Sequence, residues 1–267
     1  MKRMMLKRLI LGSCVMASAV WAEAINEKPQ ESIWAYVPPA WKGNSLTNFS
    51  GSVEVGDQQS DGTTSSQGAS GALVLKYEPG VYEIIQTISF NYLNTTPAGT
   101  NAESTTVKNQ IKAYTGVDYY FGYRIWGFVL NEYERNLPEH MKLKMRTGAG
   151  IKYDILRNPF WKLNIGAAFL NREQKSTEDL TLHDEVMSYR LLFKIKSNTV
   201  TYSLVGFYIP SVSNGSYEWS ADTSLTFDLT SVIALKVGWE YDYNSQPLAA
   251  SVAKWDRQYY TRVQLKF

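Results

Sequence analysis

The 267-residue sequence predicts an all-β chain: a signal peptide followed by a transmembrane, antiparallel, up-and-down β-barrel of about twelve strands. Three observations predict this fold. The last strand alternates apolar and polar side chains and ends on an aromatic residue, and the N-terminal segment has the features of an export signal. In addition, 13% of the residues are aromatic although the mean hydropathy is only −0.27. That combination is expected when lipid-facing residues occupy every second position of a strand.

Residues 1–22 are predicted to be a signal peptide. An apolar run of about a dozen residues, 9–20, precedes a cleavage site after Ala22 and is too short to cross a bilayer as a helix. Its basic residues are Lys2, Arg3, Lys7 and Arg8. Without these four, the formal net charge of +2 becomes −2, so no basic excess indicates nucleic acid. Cleavage also removes the single cysteine, Cys14, which excludes a disulfide framework.

Residues 23–45 are rich in proline and polar residues and are predicted to be a periplasmic lead segment. The barrel itself is expected to occupy residues 46–267. About twelve strand-like segments follow one another there: 46–57, 67–78, 81–93, 104–117, 121–133, 140–154, 160–172, 185–196, 199–209, 217–229, 231–243 and 255–267. Segments 121–133 and 199–209 are nearly apolar on both faces, so their orientation is left open.

The links between the segments alternate in length. Short links lie near 78–80, 118–120, 157–159, 197–198 and 230, and longer polar links at 58–66, 94–103, 134–139, 173–184, 210–216 and 244–254. Periplasmic turns and extracellular loops alternate in this way in outer-membrane barrels. Aromatic residues gather toward both ends of the segments, as at the two membrane interfaces.

The last segment predicts an assembly signal. Its apolar face carries Tyr259, Val263, Leu265 and the terminal Phe267, while Arg262 and its neighbours face the other way. A terminal phenylalanine on such a strand is typical of chains recognised by the barrel-assembly machinery. We therefore predict a cell outer-membrane location in a Gram-negative bacterium, reached through a cleaved signal peptide.

The same alternation predicts which charges line the lumen, because a lipid-facing Lys or Arg costs about 2–4 kcal/mol at the midplane. The predicted lumen-lining residues are Lys142, Lys144, Arg146, Lys152, Arg190, Lys194, Glu218, Asp222, Glu240, Asp242 and Arg262. The bases centre on the seventh segment and the acids on the tenth and eleventh. Charges of one sign are therefore expected to outnumber close opposite pairs.

This distribution leaves three functions open. A narrow, charged, water-filled lumen passing small solutes is one, with a weak anion preference because the inward bases of these segments outnumber the acids. An ion-paired plug that only stabilises the barrel is another, and loop-mediated binding or adhesion is the third. Outer-membrane lipid, lipopolysaccharide, the barrel-assembly machinery and small solutes are the expected partners of a monomeric chain.

An enzyme is not expected. An outer-membrane phospholipase needs a histidine that activates a serine, with a third residue orienting the ring. The sequence holds only two histidines, His140 and His183, each predicted to lie in or beside a polar loop. Neither a cofactor nor a metal site is predicted from them.

Five stretches resemble the YdiY-like family of salt-induced outer membrane proteins. They are residues 41–43 (WKG), 131–135 (NEYER), 147–153 (TGAGIKY), 163–168 (LNIGAA) and 237–243 (VGWEYDY). The first loop, residues 56–62, departs from the family pattern. The resemblance implies an outer-membrane barrel over most of the chain and a role in salt or osmotic adaptation.

Overall fold

The computed structural model describes residues 36–43, 45–61, 65–95, 105–178, 180–247 and 254–267. The predicted signal peptide and the lead segment up to residue 35 lie outside them. A short 3-10 helix, Leu46–Asn48, is followed by twelve strands. They are β1 (Phe49–Asp61), β2 (Ser65–Tyr77), β3 (Tyr82–Thr95), β4 (Thr105–Gly122), β5 (Ile125–Asn136), β6 (Met141–Arg157), β7 (Trp161–Ser176), β8 (Thr181–Lys196), β9 (Val200–Pro210), β10 (Tyr217–Asp228), β11 (Ile233–Asn244) and β12 (Trp255–Lys266).

The strands close into a single antiparallel barrel in sequence order, with β1 hydrogen-bonded to β12. The predicted fold class and the number of strands are therefore confirmed. At this seam Val53 lies opposite Leu265 and Val55 opposite Val263. Closure leaves no sheet edge, which is the condition under which strands can cross hydrocarbon. Among the described residues, no helix has the length and apolar character needed to cross a membrane.

The two ends of the barrel differ. One end, here called the turn end, holds the start of β1, the end of β12 and the short links between strands. These links are 78–81, 123–124, 158–160, 197–199 and 229–232. The opposite end, here the loop end, holds the links after β1, β3, β5, β7, β9 and β11. Two predicted long loops, 58–66 and 173–184, are shorter than expected. β1 continues to Asp61 and β2 begins at Ser65, while β7 continues to Ser176 and β8 begins at Thr181. His183 consequently lies on a strand.

The outer face is apolar where the strands alternate. Val53, Ile88, Val129, Ile151 and Val263 are all exposed on it. Aromatic rings collect on this face toward the loop end, where Tyr189, Tyr208, Tyr217 and Tyr243 form a series with centroids 5.6–6.3 Å apart. Amphipathic rings at this level are what a membrane interface selects.

Residues 36–43, here called the strap, lie against the turn end. The Val37 amide donates to the Arg157 carbonyl at 2.6 Å, and the Lys42 amide donates to that of Pro79 at 2.7 Å. The Arg124 guanidinium lies 4.4 Å from the centre of the Tyr36 ring. The strap therefore passes along the turns that follow β6, β4 and β2. Gly80 has a φ of 111°, and a Cβ there would lie 1.7 Å from the Ala40 carbonyl oxygen.

Candidate functional site

The lumen is the candidate site, because the buried polar side chains of the described strands gather there. Ten of the predicted lumen residues are carried by the inward-facing positions of β6, β8, β10, β11 and β12: Lys144, Arg146, Lys152, Arg190, Lys194, Glu218, Asp222, Glu240, Asp242 and Arg262. Lys142 is the exception. A bulge between Met141 and Leu143 interrupts the alternation, so that Met141 is buried and Lys142 is exposed.

Three bases of β6 and β7 converge on one acid of β10 near the loop end. Lys144 Nζ lies 2.8 Å from Glu218 Oε2, and Arg172 Nη1 lies 2.8 Å from Oε1. Arg146 Nη2 also binds Glu218. Arg172 binds Asp184 of β8 at 2.5 Å as well. These contacts, here called the Glu218 cluster, cross the space between β6 and β10.

A second set of ion pairs crosses from β4 to the last two strands. Lys108 Nζ lies 2.8 Å from Asp256 Oδ2. Lys112 Nζ lies 3.2 Å from Glu240 Oε1 and 3.7 Å from Asp242 Oδ2. Close opposite pairs are therefore frequent, and the expectation that like charges would outnumber them was wrong. It overlooked the inward charges of β1, β3, β4 and β5 and that of Asp184.

A third group lies between the middle of the lumen and the turn end. Arg262 and Lys236 both bind Glu54 of β1, at 3.5 and 3.3 Å, and the Arg262 guanidinium lies 4.1 Å from the centre of the Tyr260 ring. The Tyr260 hydroxyl donates to the Asp222 carboxylate, with oxygens 3.1 and 3.2 Å away. Tyr260, only 3% exposed, thus fixes the position of Asp222.

Toward the turn end, charges surround the buried indole of Trp126. Its Nε1 donates to Asp154 Oδ2 at 2.8 Å, while Lys152 and Arg157 lie 4.7 and 4.8 Å from the ring centre. Lys152 also binds Asp118. A cavity of about 410 Å³ between these residues and the strap is lined by Trp126, Arg157 and residues 37–40.

An apolar patch covers part of the inner wall. Its members are Phe128, Leu130, Ala168, Leu170, Val186 and Ile209, with Tyr114 and Phe207 packed against them. Glycines of β6 make this packing feasible: a Cβ at Gly148 would lie 2.1 Å from the Phe169 carbonyl oxygen and 2.8 Å from a Leu170 methyl carbon. The patch comes from β5, β7, β8 and β9. It shows which side chains of segments 121–133 and 199–209 face the lumen: those that share the strand face of Phe128 and Ile209.

A cavity of about 680 Å³ occupies the loop-end half of the lumen. Charged residues of the Glu218 cluster and of the β4 ion pairs line its wall, and Tyr114, Phe207 and Asp222 lie at its deep end. Arg190 lies just beyond, with its guanidinium 5.6 Å from the centre of the Phe207 ring. The open space therefore reaches the middle of the barrel.

The inward charges are also sorted along the barrel axis. In the loop-end half acids outnumber bases: Glu132, Glu134, Asp184, Glu218, Glu240, Asp242 and Asp256 against Lys108, Lys112, Lys144, Arg146 and Arg172. In the turn-end half bases outnumber acids: Lys76, Lys152, Arg157, Lys162, Lys194, Lys196, Lys236, Arg262 and Lys266 against Glu54, Glu83, Asp118, Asp154 and Asp228. Over the whole described lumen the two signs nearly balance.

Neither histidine belongs to a catalytic arrangement in the described residues. His140 ends an exposed turn with φ 58°, and its Nδ1 lies 3.3 Å from Thr177 Oγ1. His183 is exposed on β8, opposite Glu173. The described residues also contain no group of three or more His, Cys, Asp or Glu side chains placed to hold a metal ion.

The residues of the predicted assembly signal lie at the seam. Tyr259, Val263 and Leu265 are exposed on the outer face of β12. The Phe267 amide donates to the Gly51 carbonyl at 3.0 Å, and the Gly51 amide donates to the Phe267 carbonyl at 2.9 Å. The terminal residue therefore extends the pairing of the last strand with the first.

The closed barrel, its apolar outer face and its polar lumen define a porin-like outer-membrane β-barrel. Two solved structures share this fold: the NanC porin, with 10% identity, TM-score 0.53 and coverage of 80% of this chain and 100% of the porin, and an outer membrane channel from Pseudomonas putida F1, with 10% identity, TM-score 0.53 and coverage of 90% and 100%. At this identity the likeness concerns the fold alone.

The chain belongs to the family DUF481, described as proteins of unknown function, whose model matches residues 53–267. This family corresponds to the YdiY-like outer membrane proteins, so the resemblance predicted from the sequence is confirmed. No curated protein matches the chain.

Proposed function

We propose that this protein is a narrow passive channel for small hydrophilic solutes, with its loop end outside the cell and its turn end in the periplasm. The observation that carries the proposal is the charged cavity of about 680 Å³, which runs from the loop end to the middle of the lumen. Acids outnumber bases on the wall of this cavity. The acids in excess need water, because burying a charge without a partner in a dry interior costs more than the fold supplies.

The channel is narrow because side chains cross it. The Glu218 cluster and the pairs made by Lys108 and Lys112 span the outer half. Tyr114, Arg190 and Phe207 narrow the middle, and the strap lies against the periplasmic end. We therefore propose a small conductance rather than that of a wide general porin.

The preference between anions and cations is proposed to be weak. The anion preference expected from the sequence rested on an excess of inward bases in the later strands. Acids of β1, β3, β4 and β5 nearly offset that excess, and the outer cavity is lined by more acids than bases. The proposal also includes export through a cleaved signal peptide and assembly by the barrel-assembly machinery. It further includes contact with lipopolysaccharide and a role in salt or osmotic adaptation.

A second candidate is a plugged barrel without transport, which the ion pairs that cross the lumen favour. Single-channel recording of refolded protein in planar bilayers separates the two functions. The channel predicts small discrete current steps that grow in Tyr114→Ala and Phe207→Ala. If neither the natural protein nor these two variants conducts while all three are folded, the barrel is plugged.

A further inference from the structure

We propose that Arg190 and Asp222 form a binding site for a small zwitterion, a molecule that carries one ammonium and one carboxylate group, in the middle of the lumen. The inference rests on the proposed channel function and names the class of solute that the channel favours. It starts from two opposite charges in the middle of the lumen that do not pair with each other.

Arg190 of β8 is a cation without an anionic partner. Among the described residues, no carboxylate oxygen lies within 4.0 Å of its guanidinium, and its buried Nε has no hydrogen-bond partner. Its identified neighbours are uncharged: the Phe207 ring, 5.6 Å away, and the Tyr114 hydroxyl, to which the guanidinium donates. A guanidinium with unfilled donors is suited to bind a carboxylate, which can accept two parallel hydrogen bonds.

Asp222 of β10 is the matching anion. Tyr260 donates to it, but no basic nitrogen of the described residues lies within 4.0 Å of its carboxylate. The nearby bases of β11 and β12, Lys236 and Arg262, are bound to Glu54. One hydroxyl leaves most of the acceptor capacity of Asp222 unused, so an ammonium group can bind there.

The sheet register places these two charges on either side of β9. Arg190 is paired with Phe207, and Asp222 is paired with Val205, two positions away on the same strand. The two charged side chains are therefore neighbours across one strand, with an apolar floor of Phe207 and Val205 between them. A molecule with an ammonium and a carboxylate a few ångströms apart can bridge them.

The remaining lumen favours the same class of solute over simple ions. An anion that enters from outside first meets the acid-rich half, and a cation that passes the middle meets the base-rich half. A zwitterion satisfies Asp222 with its ammonium group and Arg190 with its carboxylate.

The test is liposome swelling with reconstituted protein, using glycine and its uncharged isomer glycolamide as probes. The two molecules have the same atoms, so a difference in swelling reports charge rather than size. We expect faster swelling in glycine by roughly tenfold, the low end of what electrostatic focusing adds to association rates. Arg190→Gln and Asp222→Asn should each bring the ratio close to one. Lys196→Gln, at the turn end, should keep it.

The outcomes separate the two proposals. Swelling with neither probe overturns the channel function. Equal swelling with both probes keeps the channel and overturns the zwitterion site. A ratio that survives in both Arg190→Gln and Asp222→Asn also overturns the site. Each variant is first shown to be folded by a difference in SDS-gel migration between its boiled and unboiled samples. Its swelling is then compared.

Discussion

Replacing Glu218 by glutamine tests the cross-lumen ion pairs most directly. Three bases, Lys144, Arg146 and Arg172, share this one carboxylate. Glutamine has the same shape and can still accept a hydrogen bond, but it removes the one negative charge among the described residues that all three bases contact. The variant therefore isolates the charge from the packing.

The expected loss follows from burial. Removing one partner of a buried ion pair costs about 3–5 kcal/mol, because the other charge is left uncompensated. Arg146 and Arg172 keep Glu132 and Asp184 as partners, so Lys144 is the base left uncompensated. The Glu218 side chain is 11% exposed and borders the outer cavity, so water can partly hydrate Lys144. We therefore expect the lower end of that range, about 3 kcal/mol of unfolding free energy.

Urea unfolding of the refolded barrel in lipid vesicles, followed by tryptophan fluorescence, measures this loss. Glu185→Gln is the matched control, since Glu185 is exposed on the neighbouring surface of β8 and should change stability by less than about 0.5 kcal/mol. A loss below about 1 kcal/mol in Glu218→Gln, or one equal to the control, refutes a stabilising role of the cluster.

Three further predictions concern the seam and the strap. Gly56→Ala should destabilise the barrel by about 1–3 kcal/mol, because its Cβ would lie 1.9 Å from a carbonyl oxygen of β12. Gly206→Ala, whose nearest atom is 3.8 Å away, should leave urea stability unchanged or slightly higher. Deleting Phe267 should sharply lower the amount of barrel in outer-membrane fractions, and wild-type yield would contradict its role in assembly. Gly80→Ala should displace the strap, which is measured as faster proteolysis within residues 36–43 and a larger single-channel conductance, whereas an unchanged digest would show that the strap holds its place.

The barrel could be predicted from the sequence because lipid imposes a strict rule on alternate residues. In β6, β11 and β12 polar and apolar side chains alternate without ambiguity, and the inward positions of Lys144, Glu240 and Arg262 follow from parity alone. Lys142 departs from the rule because a bulge adds one residue to its strand. Bulges depend on local pairing and have no period that a sequence pattern reveals.

The orientation of β5 and β9 could not be predicted for another reason. Both strands carry apolar residues on both faces, since Phe128 and Phe207 belong to the lumenal patch rather than to the lipid-facing surface. The alternation in β4, by contrast, was sufficient to predict its inward-facing residues. These are Lys108, Gln110, Lys112 and Tyr114. The pairing partners themselves required the barrel register, which brings β4 opposite β11 and β12.

The axial sorting of the lumenal charges has an electrical consequence. Fixed acids in the outer half attract mobile cations, and fixed bases in the inner half attract mobile anions, as on the two sides of a semiconductor junction. A voltage that is positive on the outer side drives both kinds of ion toward the middle and fills the narrow region with carriers. The reverse voltage empties it. An open channel of this design should therefore pass more current in one direction than in the other. The asymmetry should be larger in 0.1 M salt, where charges act over about 10 Å, than in 1 M salt, where they act over about 3 Å.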